Sequence, residues 1–143
     1  MNNGVIGRRA HDPFAWLKQA RELDQAAMLV WTAMREDLAR LSGAAVGSTI
    51  DLKQAPNANL GGVFWLTAGL ALETLLKGII VQADPASVVN GTITNPLKTH
   101  NLLRLATRAS VPLDPVEGFF LWVGTECVSR WPEHPGRTSL CRR

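Results

Sequence analysis

Apolar positions in this chain gather into four stretches, and their spacing predicts the elements. From Pro13 onward, Leu17, Ala20, Ala27, Val30, Trp31, Met34, Leu38 and Leu41 recur at helical steps, with Lys18, Arg21, Glu22, Asp24, Arg35, Glu36, Asp37 and Arg40 between them. That is an amphipathic helix of about eight turns. Asp12 offers an N-cap ahead of Pro13 at the first helical position, and Ser42-Gly43 closes the helix. The small and polar run 42–59 has no periodicity and reads as a long loop.

The second stretch, residues 60–83, is apolar except for Glu73 and Lys77. Its length invites a membrane span, but its two charges fall mid-span, where each costs about 2.5–3.5 kcal/mol in lipid. They stand four residues apart with the acid first, the favourable order for a pair on one helical face. A helix apolar nearly all round is the buried centre of a bundle, and Ala68, Gly69 and Ala71 let a neighbour approach closely. Pro85 stops it. Asn90-Gly91 between Val88-Val89 and Thr92-Ile93 then predicts a small surface hairpin, a tongue over 87–94.

A short third helix is expected from Thr99, as its cap, to about Ala109. A fourth starts at Asp114-Pro115-Val116-Glu117, which combines an N-cap, a first-position Pro and an acid at N3. It carries Phe119, Phe120, Leu121, Trp122, Val123, Cys127 and Val128 and stops at Pro132. The expected fold is all-α: one helical domain over 12–135, with a disordered arm at 1–11 and a basic tail at 136–143.

Composition changes this picture little: 143 residues, 46% hydrophobic and 19% charged, make one globular domain. Charge adds more. The formal net charge is +3, but Arg8, Arg9, Arg137, Arg142 and Arg143 lie in the tails; without them 10 basic residues face 12 acidic ones. Arg137, Arg142 and Arg143 are therefore candidates for holding nucleic acid electrostatically, against a reading as solvated ends. Cys127 and Cys141 form neither a CxxC pair nor a disulfide framework. Residues 1–12 lack the apolar core of a signal peptide. A cytoplasmic location is expected, with no membrane.

The chain has no glycine-rich phosphate loop, no GxSxG, no HExxH and no metal-spaced Cys/His set, so no cofactor or metal is expected. Glu73 and Lys77 on a buried helix need a partner, which His100 or Arg130 can supply. This is either a polar pocket or an ion pair with a capping His. Arg130 and His134 can jointly handle a phosphodiester, the guanidinium holding charge and the imidazole moving a proton. Alternatively, they punctuate a helix end.

LTAGLALETLLKGII at 66–80, THNLLRLA at 99–106 and SRWP at 129–132 together resemble the HEPN superfamily, the higher eukaryote and prokaryote nucleotide-binding helical domains, in its Arg-aromatic-Pro branch. The resemblance spans about residues 12–135. It implies an antiparallel four-helix bundle, a homodimer, and association with RNA or nucleotides, or with a nucleotidyltransferase or antitoxin partner, in bacterial defence or toxin–antitoxin settings. Nuclease members are metal-independent endoribonucleases with an Arg and a His, which here would be Arg130 and His134. These stand closer together than in those nucleases, so a binding module comes ahead of an enzyme. A protein-interaction scaffold without nucleic acid is the third alternative.

Overall fold

A computed structural model describes residues 10–42, 53 and 55–130, with the Arg130 side chain outside that set. The fold is all-α, with one small hairpin. Its elements are α1 (Pro13–Ser42), α2 (Gly61–Ala83), strands β1 (Val88–Val89) and β2 (Thr92–Ile93), α3 (Leu102–Arg108) and α4 (Pro115–Arg130); single 3-10 turns at Pro85–Ser87 and Asn95–Leu97 flank the hairpin.

Both expected helix starts form. The Phe14 amide donates to Asp12 Oδ1 at 3.0 Å, opening α1. At α4 the Val116 and Glu117 amides both donate to Asp114 Oδ1 at 2.8 Å, and the Asp114 amide donates to Glu117 Oε2 at 2.9 Å. This reciprocal box satisfies donors that a helix start otherwise leaves unpaired. The start of α3 differs from expectation. Thr99 is not the cap: Asn101 is, its side chain accepting from the Arg104 amide at 2.9 Å. Leu102 is fully buried and its amide donates to Thr125 Oγ1 of α4, so packing draws the first helical turn to Leu102. Of the arm at 1–11, only Ala10 and His11 are described, and Trp16 Nε1 donates to the Ala10 carbonyl at 2.9 Å.

α1 and α2 run antiparallel, with Gly61 opposite Met34 and Gly78 against Trp16. The buried seam of α1 is narrower than its apolar pattern: Ala20, Ala27 and Met34, seven residues apart, with Asp37 after them. A seven-residue repeat keeps one line of side chains against a partner helix. Leu17 and Leu38, on the expected apolar face, stay exposed. Asp37, which falls among the polar positions, is only 1% exposed. It accepts from Arg40 Nη1 at 2.8 Å and from the Asn57 amide at 2.7 Å, pinning the chain just before α2.

α4 runs in the same sense as α2, Trp65 meeting Phe120 and Gly69 meeting Gly124 and Val128. A Cβ on Gly69 would sit 2.7 Å from Val128 Cγ2 and 3.2 Å from the Gly124 carbonyl oxygen, so this approach requires glycine. The main core joins Leu76, Ile80 and Val81 of α2 to Leu102, Leu105 and Ala106 of α3 and Leu121 of α4. The hairpin forms over 88–93, with Asn90 and Gly91 both at positive φ (50° and 72°) as a tight primed turn needs. It is more than a surface tongue, because Val88 and the following Leu97 are part of that core.

Among the described residues, α2 alone is long and apolar enough to cross a membrane. Here it packs against α1, α3 and α4.

Candidate functional site

Glu73 lies near the middle of α2 with its side chain only 9% exposed, and Lys77, one turn on, is 8% exposed. Lys77 Nζ donates to Glu73 Oε1 at 2.6 Å. The other carboxylate oxygen, Oε2, lies 2.9 Å from His100 Nδ1, across from the segment entering α3. The structure thus brings Glu73, Lys77 and His100 together, and His100 is the member that answers the buried pair from another element.

Both charges of the pair sit on one helix, so the Lys77–Glu73 bond ties nothing to anything else. Burying such a pair costs desolvation that apolar side chains of similar size avoid. The bond that spans elements is Glu73 to His100, which fixes the start of α3 on α2. A carboxylate only accepts hydrogen bonds, so Nδ1 carries the ring proton in this contact. The second ring nitrogen, Nε2, lies on the far edge of an imidazole whose side chain is 59% exposed. A carboxylate that holds one nitrogen of a histidine fixes the orientation of the ring and turns the other nitrogen outward. The triad is therefore a structural tether with one chemically competent edge toward solvent.

His134, Arg137, Arg142 and Arg143 and the side chain of Arg130 lie outside the described residues. Among the described residues, no three His, Cys, Asp or Glu side chains are placed to hold a metal ion. Cys127 is a free, half-buried thiol; burial first, and the Glu126 carboxylate second, push its pKa above the ordinary thiol value.

A second feature was legible only as apolar sequence. Trp31, Phe64, Trp65, Phe120, Phe119 and Trp122 form a continuous run of ring contacts across α1, α2 and α4, with successive centroids 5.3–5.9 Å apart. Much of it faces solvent: Phe119 is 56% exposed, Phe120 48% and Trp122 46%. The spacing of these residues signals a helix, but nothing in it separates an inward from an outward aromatic.

Compared with known proteins, the chain matches no family model, no curated protein and no solved structure.

Proposed function

We propose that this chain is a HEPN-like up-and-down four-helix bundle that works as a cytoplasmic homodimer. It acts as a binding module for RNA or nucleotides, alongside a nucleotidyltransferase or antitoxin partner in a bacterial defence or toxin–antitoxin setting. Two of the stretches that resemble the family, 66–80 and 99–106, meet at the Glu73–His100 bond, which supports a shared architecture.

The observation that carries the dimer, and with it the binding role, is the exposed aromatic run. Aromatic side chains present roughly 150–250 Å² each. At their fractional exposures, Trp31, Phe119, Phe120 and Trp122 together leave roughly 400 Å² of apolar surface to water. A contiguous apolar patch of that size is often functional. A twofold contact uses the same patch on both copies and would bury roughly 800 Å² in all from these side chains, the size of a weak or transient interface.

Light scattering on the full chain at tens of micromolar tests this. The expected mass is twice 15.6 kDa, falling to the monomer value in Phe119→Glu with the helical circular dichroism unchanged. A monomeric wild type sinks the proposal.

A further inference from the structure

The charge of the folded body is unevenly placed. Among the described residues 10 Lys and Arg face 10 Asp and Glu, a net charge of zero. Along α1 the two signs are interspersed and cancel, four against four. From Pro85 to Leu113 there is no acidic residue at all, while Lys98, His100, Arg104 and Arg108 are all exposed. Among the described residues, Lys98, Arg104 and Arg108 make no salt bridge. Arg104 and Arg108 are four apart on α3, hence one turn and about 5–6 Å from each other. They lie on the side opposite the buried Leu102, Leu105 and Ala106.

We propose that this ridge, Lys98, Arg104 and Arg108, binds the phosphodiester backbone of single-stranded RNA. The proposal rests on the RNA-binding reading above and moves the contact from the C-terminal tail to the folded body. Two unneutralised like charges one turn apart destabilise a short helix slightly, and an opposing polyanion removes that repulsion. Guanidinium groups match phosphate oxygens with two parallel donors. The outer face offers only polar side chains, Asn101, Arg104, Thr107 and Arg108. A protein partner draws its affinity from buried aromatic or aliphatic anchors, which this face lacks, whereas nucleic acid draws it from phosphates.

Fluorescence anisotropy with a mixed-sequence single-stranded RNA, at 50–200 mM salt on the full chain, tests the ridge. Each phosphate contact contributes about −0.7 to the slope of log affinity against log salt. Arg104→Gln with Arg108→Gln keeps good helix formers on α3. It should flatten the slope by roughly 1.4 and weaken binding roughly ten- to a hundredfold at 50 mM salt. Lys18→Gln with Arg21→Gln removes the same charge from α1 and should change little. If the wild type binds but the loss follows Arg137→Gln, Arg142→Gln and Arg143→Gln instead, the ridge is wrong and the RNA reading stands. A wild type that does not bind RNA overturns both. Poly-glutamate competing as strongly as RNA at equal charge overturns the ridge as an RNA site and points to an acidic protein.

Discussion

Replacing Glu73 by Leu removes one charge from a buried pair and strands the other. Lys77 Nζ, in a side chain 8% exposed, loses its 2.6 Å partner, and His100 loses its acceptor. Breaking a buried pair from one side costs about 3–5 kcal/mol, a large share of the roughly 5–15 kcal/mol that holds a domain folded. Lys77→Met strands the carboxylate instead, but His100 still donates to it, so the loss should be smaller, about 1.5–3 kcal/mol. With both residues made apolar, no buried charge remains. The double variant should then lie within about 1–2 kcal/mol of wild type, the remaining deficit being the lost His100 bond. The two single losses should exceed the double loss by roughly 3 kcal/mol or more, at the upper end of coupling between contacting residues. Urea unfolding followed by circular dichroism reads this. With a slope of about 2 kcal/mol/M, Glu73→Leu moves the midpoint down by roughly 1.5–2.5 M. Protein concentration must be held constant across the series, because a dimer is stabilised by mass action. If Glu73→Leu costs less than about 1 kcal/mol, or the double variant is no more stable than Glu73→Leu, the pair is not buried as described.

Two further expectations concern packing and titration. Gly69→Ala gains about 1 kcal/mol of helix propensity, yet its Cβ meets Val128 Cγ2 at 2.7 Å and the Gly124 carbonyl at 3.2 Å. The stiff valine and the backbone cannot both give way, so the net is a loss of about 1 kcal/mol or more by thermal unfolding. Gly118→Ala, whose Cβ meets nothing within 4 Å, should instead gain about 0.5–1 kcal/mol; equal shifts at the two sites would contradict the close approach of α2 and α4. Burial and Glu126 both disfavour the Cys127 thiolate, so in a Cys141→Ser background its alkylation by iodoacetamide should rise with pH at a higher midpoint than a free thiol's, and run slower than glutathione's at pH 8. A midpoint at the free thiol's value would show that solvent reaches the sulfur, and one below it that a cation does.

Local signals were legible where the chemistry is local. Asp12-Pro13, Asp114-Pro115-Val116-Glu117 and Asn90-Gly91 each placed an element boundary, because the hydrogen bonds involved close within a few residues. Glu73 and Lys77 were readable as a pair in need of a partner, and His100 is that partner. Asp37 was not readable: its partner Asn57 lies 20 residues away in a stretch without periodicity. The cap of α3 slipped from Thr99 to Asn101 because both types can cap, and the choice was made by Leu102 entering the core. On α4, helical spacing identified the apolar residues but not which of them lack a covering neighbour. That depends on the number of helices around them, a property of the assembled bundle.

The outward aromatic face carries the central claim, so the most direct measurement asks whether that face is where two copies meet. Gly118 lies on α4 beside Phe119, and a side chain there enters open space. A spin label on Gly118→Cys, with Cys127→Ser and Cys141→Ser, reports the separation of the two α4 helices by dipolar spectroscopy. If the face is the interface, the labels give a short, narrow distance distribution, as for helices whose axes pack about 8–10 Å apart, and Phe119→Glu abolishes it. A dimer of the expected mass with no short distance between the labels would place the contact elsewhere and contradict the claim.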